Sequence, residues 1–247
     1  MNMKIFITGA SGTIGRVLMK CLSEKYEVVG IDKIPSDNVV TLNIVDEQEK
    51  LRKLLKSVDV IIHLAWDTKE AGTALESSVV ENKTMGEIMY ALSLEQKIKK
   101  FILASSVHVS LGHISYRHPG IVEDHKVLHT KKITTQGELF PLGIYGASKV
   151  YLEALGKAYS EKGLRVISVR FGNITRGDSF GEYPFWLSHR DCCSFIDKCI
   201  ETKNLPGYSV FFAISDNPCN PFDLSDAQSR LGYESKDKSP CPEENNS

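Results

Sequence analysis

Lys4-Ile5-Phe6-Ile7-Thr8-Gly9-Ala10-Ser11-Gly12-Thr13-Ile14-Gly15 runs from a short apolar strand through a G-x-x-G-x-x-G turn into the start of a helix. Glycine at the first position permits the tight turn, at the second lets backbone approach a pyrophosphate, and at the third lets helix pack closely on strand. The helix opening at Thr13 and Ile14 points free N–H groups and the positive end of its dipole at the same place. Three glycines can occupy any tight strand-to-helix turn, so the run takes its meaning from the strand before it and the helix after it.

Outward from this stretch, short apolar runs alternate with longer segments of helical period. Residues 4–8, 27–31, 39–42, 58–64, 101–104 and 165–170 read as strands, and residues 14–25, 47–56, 73–96 and 145–161 as helices. A helix near 190–201 and a strand near 209–214 complete the series. Strands apolar on both faces and separated by helices imply a parallel sheet covered on both sides. The expected fold is therefore α/β, a doubly wound parallel sheet of the Rossmann kind with a small C-terminal substrate-binding portion. Residues 1–233 form one domain in this reading, and the polar residues 234–247 a loosely held tail. The connection 107–143 is long, rich in His and Gly, and without a sustained period. It reads either as a segment closing over substrate or as a surface excursion.

Bulk properties narrow the function. The chain has 247 residues and a formal net charge of -1, so no excess of either sign points to a nucleic-acid or membrane partner. A small neutral or anionic metabolite fits better. The apolar run after Met1-Asn2-Met3-Lys4 is too short for a signal-peptide core, which sets the expectation of a cytoplasmic protein. The six cysteines, Cys21, Cys192, Cys193, Cys199, Cys219 and Cys241, show no C-x-x-C spacing and read as free thiols. Five histidines between His108 and His129 match no metal-binding helix pattern, so no metal is expected.

The second strand ends at Asp32, where a carboxylate can accept hydrogen bonds from an adenosine ribose and repel the extra phosphate of NADP. NAD is the expected cofactor; the adjacent Lys33 keeps NADP as the alternative. Tyr145-Gly146-Ala147-Ser148-Lys149 places a phenol and an ammonium one above the other on a helix face. A tyrosine ordinarily titrates near about 10, so a phenolate near neutrality needs about 4 kcal/mol of selective stabilisation. Lys149 and a positive nicotinamide ring can supply it, making Tyr145 a general base for an alcohol that is losing hydride. Ser105 and Ser106 end the fifth strand, at the sheet edge where such folds bind ligands, and Ser106 can hold a substrate hydroxyl against the tyrosine oxygen. Either serine can equally cap the strand end.

With these residues the chain resembles the extended short-chain dehydrogenase/reductase group, the NAD-dependent epimerase/dehydratase family. The likeness rests on Gly9, Gly12 and Gly15, Asp32, His63-Leu64-Ala65, Asn82, Ser105-Ser106, and Tyr145 with Lys149. It implies Tyr145 as base, Lys149 as ligand of the nicotinamide ribose, and Ser106 as the third catalytic residue. It also implies cofactor contacts at Thr13, Ile14, Lys33, Asn43, Ile44, Leu64, Ala65, Trp66, Asn82, Ser105 and Phe171. Asn43-Ile44 stands where the family usually shows an Asp followed by an apolar residue near adenine.

Within the family, Gly172-Asn173-Ile174-Thr175-Arg176-Gly177, Trp186-Leu187-Ser188-His189-Arg190-Asp191-Cys192, Ile214-Ser215-Asp216-Asn217 and Leu231-Gly232-Tyr233 resemble the compact sugar dehydrogenases. These are the uronate dehydrogenases and, more closely, the NAD-dependent glucose-6-phosphate dehydrogenase of haloarchaea. The resemblance implies oxidation of C1 of a hexose or hexose phosphate to a lactone. Only 98 residues follow Lys149, which suits a small sugar better than a nucleotide-linked one. Gly181-Glu182-Tyr183-Pro184-Phe185 lacks the arginine with which uronate dehydrogenases grip a carboxylate, whereas Arg176 can pair with a sugar phosphate. His108 reads as a substrate contact or as pocket floor, and Asn173 as a substrate contact or as a turn residue. The rival readings are a nucleotide-sugar epimerase or dehydratase with tightly bound NAD, a uronate dehydrogenase, and a nonenzymatic dinucleotide sensor. Val150, Leu152, Leu155 and Tyr159 on the Tyr145 helix suit a homodimer interface or burial against the sheet.

Overall fold

The computed structural model describes residues 3–67, 79–114, 132–179, 184–218 and 220–240. Seven strands, β1 (Lys4–Thr8), β2 (Glu27–Asp32), β3 (Val39–Thr41), β4 (Val60–His63), β5 (Lys100–Ser106), β6 (Arg165–Phe171) and β7 (Tyr208–Ala213), form one sheet. Every pairing is parallel and the order is β3-β2-β1-β4-β5-β6-β7. The helices are α1 (Thr13–Leu22), α2 (Gln48–Leu54), α3 (Val79–Glu95), α4 (Gly143–Glu161), α5 (His189–Glu201) and α6 (Ser225–Leu231). The fold is the expected doubly wound one. The beginning of the helix expected over 73–96 lies outside the described residues, as do 115–131 of the long connection, and with them His118, His125 and His129.

Alternation along the strands sorts the core into two layers. Ile5 and Ile7 face one side with Leu18 of α1, Phe195 and Ile196 of α5 and Leu231 of α6. Phe6 faces the other with Leu51 of α2, Met89 of α3 and Leu152 of α4. Successive side chains of a strand point to opposite faces, so a strand apolar at every position must be covered twice. Leu155 and Tyr159 pack against the second layer, where the Tyr159 ring stacks on Tyr90 at 5.3 Å. These two expected interface candidates thus contribute to burial against the sheet.

Two sequence expectations fail. Cys21 of α1 and Cys193 of α5 are joined by a disulfide across 172 residues, with Cα atoms 6.3 Å apart, so these two are not free thiols. Only the packing of α1 against α5 on one sheet face brings them together, which spacing in sequence cannot reveal. Cys192 and Cys199 are free and buried; Cys219 and Cys241 lie outside the described residues. The second concerns the first half of the expected tail; residues 241–247 lie outside the described residues. Residues 234–240 form no helix or strand, yet they are tied to the fully buried Asp191 carboxylate. That carboxylate accepts hydrogen bonds from the Ser235 hydroxyl at 2.6 Å and from the N–H groups of Lys236 and Asp237 at 2.8 and 3.2 Å. Ser188 caps α5, its oxygen accepting from the Asp191 N–H at 3.0 Å, and its hydroxyl donates to Asp237 at 2.6 Å. Ser235, Asp237 and the backbone there serve a buried carboxylate and a helix N-terminus, while the Glu234, Lys236 and Lys238 side chains face solvent.

Candidate active site

The strand order reverses between β1 and β4, and there a cleft of about 410 Å³ opens at the carboxyl end of the sheet. One wall is the glycine turn. A Cβ on Gly15 would lie 2.2 Å from the Gly9 carbonyl oxygen, so only glycine lets α1 start this close to the turn. Gly12 caps α1 without a side-chain hydrogen bond, and the first turn of the helix holds no acidic residue. The N–H end of α1 is thereby left to attract an anion. Asp32 stands at the end of β2 and accepts from the Ser11 N–H at 3.0 Å and the Ile34 N–H at 2.9 Å, which locks the turn to the strand end.

Lys33 lines the same cleft, with its ammonium hydrogen-bonded to Asp67 and 3.7 Å from Glu81. Burial works against that charge, but Asp67, Glu81 and Asp32 outweigh it and hold the amine above its ordinary value. Asn43 and Ile44 border the far end beside Leu42. The Asn43 side chain makes an Asx turn, its oxygen accepting from the Val45 N–H at 2.9 Å, while its amide donates to Asp46 at 2.6 Å. After β4, Leu64, Ala65, Trp66 and Asp67 form the opposite wall. Asn82 does not line the cleft. Buried in α3, it accepts from the Asp67 N–H at 2.6 Å and donates to the Asp67 carbonyl at 3.2 Å, so it shapes that wall from behind.

A second pocket of about 320 Å³ lies beyond, lined among others by Ser106, His108, Tyr145, Phe171 and Asn173. Ser106 caps the 3-10 turn Val107–Val109 by accepting from the His108 N–H at 3.2 Å. The Tyr145 ring stands edge-on between two others, Trp66 at 5.3 Å and His108 at 5.2 Å. Burial pushes the Tyr145 phenol above its ordinary value, and a hydrogen bond with Ser106 opposes the rise. The Lys149 amine donates to the Ala104 carbonyl at 2.9 Å and sits 3.7 Å above the Trp66 ring. Burial brings it down to about 7, with Glu153 opposing. It is 5.5 Å from the centre of the Tyr145 ring.

Besides Asn82, three further expected site residues occupy other places, and Phe171, expected at the cofactor, lines the smaller pocket. Ser105 points away from both cavities and donates to Glu153 at 2.5 Å. Lys149 lies behind the Trp66 wall. Arg176, expected at the sugar, lines the larger cleft along with Gly12 and Thr13 and not the smaller pocket. Asn173, expected at the substrate or in a turn, forms a parallel bridge with Trp186 and not a turn. Its side of the chain lines the pocket while its backbone pairs with Phe185 and Leu187 at 2.8 Å. That pairing requires Gly172, where a Cβ would lie 2.1 Å from the Phe185 oxygen. Gly181, Glu182 and Tyr183 lie outside the described residues.

Comparison with known proteins places this geometry in a lineage. The model of the NAD dependent epimerase/dehydratase family matches residues 5–179. The chain belongs to that family. Membership brings NAD as the cofactor and hydride chemistry at a CH–OH carbon, and the bare α1 terminus, the close glycine turn and the elongated cleft fit a dinucleotide. The chain is 30% identical to an NAD-dependent glucose-6-phosphate dehydrogenase of Haloferax volcanii, over 97% of this chain and 95% of the relative. It is 26% identical to an L-arabinose 1-dehydrogenase (NAD(P)(+)) of the same organism, over 96% and 97%. The crystal structure of uronate dehydrogenase from Agrobacterium tumefaciens superposes with a TM-score of 0.78 at 24% identity, covering 96% of this chain and 85% of that one.

Against the family pattern, sequence reasoning missed Ser11, Ile34, Asp67 and Met85 in the cleft and Phe185 in the pocket. Ser11 was legible as a member of the glycine turn. Asp67 and Met85 carry no local signal, because they reach the cleft from two segments that meet only in the folded chain.

Proposed function

We propose that this protein oxidises C1 of a hexose or hexose phosphate to a lactone, with NAD as hydride acceptor and Tyr145 as general base. The observation that carries the reading is the seat of Tyr145. Its ring lines the smaller pocket and touches Trp66, which walls the dinucleotide cleft, so the phenol stands where the two cavities meet. The bound nicotinamide supplies a hydride acceptor and, while oxidised, a positive charge. Ser106 holds the C1 hydroxyl against the Tyr145 oxygen, which takes its proton as the C1 hydrogen leaves with the bonding pair. Carbon 1, already bonded to the ring oxygen, thereby gains a second bond to its former hydroxyl oxygen, and the ring becomes a lactone.

Burial by itself favours the protonated phenol, so the cations have to supply the stabilisation of the phenolate. Lys149 contributes from behind the Trp66 wall. His108 faces the sugar from the other side of the ring and Asn173 from the end of β6. Arg176 offers a guanidinium to a phosphate at the cleft mouth. The Lys33 amine is engaged by Asp67, which supports NAD over NADP because that cation is not held out for an extra phosphate.

The test is a screen of aldoses, uronates and sugar phosphates with NAD and with NADP, read as NADH or NADPH absorbance. A stoichiometric rise with an aldose or its phosphate supports the reading. Turnover of sugar with no net NADH would replace it with an epimerase. The Tyr145→Phe enzyme is expected to lose about 1,000-fold in kcat while binding NADH as before.

A further inference from the structure

Beneath both cavities lies a cluster that the proposed chemistry does not use. Glu153 follows Lys149 by one helical turn of α4 and is itself 4% exposed. Its carboxylate is held by two Arg170 hydrogen bonds, Nε to Oε1 at 3.0 Å and Nη2 to Oε2 at 2.8 Å, and by the Ser105 hydroxyl at 2.5 Å. Arg170, at the end of β6, is 2% exposed and reaches the Ser110 hydroxyl at 3.4 Å. Ser110 closes the turn that begins at Ser106 and carries His108. The network therefore joins the lysine, the serine and the histidine of the site through residues that touch neither cavity.

Its other neighbours are neutral. Tyr90 of α3 and Tyr208 of β7 are both pushed far up by burial, so each is an uncharged phenol. His63 of β4, brought down to about 3 by burial and then by Lys149, is an uncharged imidazole bonded to Thr8 at 2.7 Å. The Trp66 ring covers the amine, and Tyr145 lies on the same helix. Among the described residues the groups of this core that can carry charge are Lys149, Arg170 and Glu153, and burial, opposed by Glu153, brings the Lys149 amine down to about 7. A buried cation with no anion nearby loses its proton or costs several kcal/mol.

We propose that Glu153 is a positioning residue for the Tyr145 and Lys149 pair: clamped by Arg170 and Ser105, its carboxylate holds the buried lysine in the ammonium form and, through Arg170 and Ser110, fixes the turn that presents Ser106 and His108. This rests on the reading of Tyr145 and Lys149 as the reacting pair. A purely structural ion pair would hold β6 to α4 without governing the lysine proton.

The lysine proton is therefore what the experiment follows. Protein labelled with 13C-lysine is titrated by NMR, with the Lys149 Cε signal assigned by Lys149→Met, and no sugar is needed. Glu153→Gln combined with Arg170→Met removes both charges of the pair, and the Lys149 midpoint is expected to fall by about one pH unit, a change of about tenfold in the proton equilibrium. Ser105→Ala keeps both charges but takes a donor from the carboxylate, leaving it more negative toward the lysine, so the midpoint is expected to rise by roughly 0.3. If circular dichroism shows the double variant unfolded, the Ser105→Ala titration decides alone. A Lys149 midpoint equal to that of the parent protein in every folded variant overturns the proposal. Full turnover by Tyr145→Phe would instead overturn the functional reading and leave the titration result standing.

Discussion

At the β1 and β2 end of the sheet the site is made of backbone, and at the β5 and β6 end it is made of side chains held by other side chains. The glycine turn, the open terminus of α1 and the Ser11 and Ile34 N–H groups on Asp32 all come from one run and its neighbour strand. Ser106, His108, Tyr145 and Asn173 are presented by three separate segments. They keep their places through the buried Glu153 and Arg170 pair and through the chain that follows β6. A cavity built from local backbone tolerates distant changes. One assembled from remote side chains inherits the stability of every clamp behind it, and this difference is open to direct attack.

The largest expected effect strikes the second kind of construction. Asp191→Ala leaves the Ser215 and Ser235 hydroxyls and the Lys236 and Asp237 N–H groups without their common acceptor. We expect about 4 kcal/mol of lost stability in urea unfolding and early proteolytic release of the C-terminal segment. NADH affinity of the protein that remains folded should hardly change. An equal loss of NADH binding would mean that the two ends are not independent.

Among the described residues a disulfide crosses from one region to the other, joining α1 behind the cleft to α5. Cys21→Ser with Cys193→Ser, or a reductant, is expected to cost about 3 kcal/mol in unfolding free energy. The measurement is thermal unfolding with and without dithiothreitol, and a melting temperature indifferent to both would remove the bridge from the account. Disulfides are rare in the reducing cytosol of mesophiles, so the bridge also bears on the compartment in which this chain works.

Gly15→Ala is the smallest of the three in stability and the most selective. The added methyl would lie 2.2 Å from the Gly9 oxygen and 2.7 Å from the Ala10 Cα, so the backbone of the turn itself must move. About 2 kcal/mol of destabilisation is expected, with a loss of roughly 30-fold in NADH affinity. Unfolding of the Asp191 region, followed by proteolysis, should be unaltered, which sharpens the contrast between the two ends.

The legibility of the sequence follows the same division. Strand and helix periods, the parallel sheet and the glycine turn with Asp32 were all readable, because each rests on residues within one turn or one strand. Tyr145 and Lys149 were readable as one helix face, but not the Trp66 ring that comes between the amine and the cleft. Arg170 carries a signal in the sequence, a second charge near the inner end of a mainly apolar strand. Residues 234–240 misled, since a polar run reads as solvated until a buried carboxylate is known to wait for it.

By itself, then, the sequence determined the doubly wound architecture and the glycine turn that borders the larger cleft, since both depend on hydrophobic period and on backbone that only glycine permits. The tertiary structure alone decided that Cys21 meets Cys193, that Asp191 anchors residues 235–237, and that Glu153 pairs with the buried Arg170. The reason is physical. Propensity and period act over a few residues, whereas a buried charge is balanced by whatever partner the packing of distant segments brings within hydrogen-bond reach.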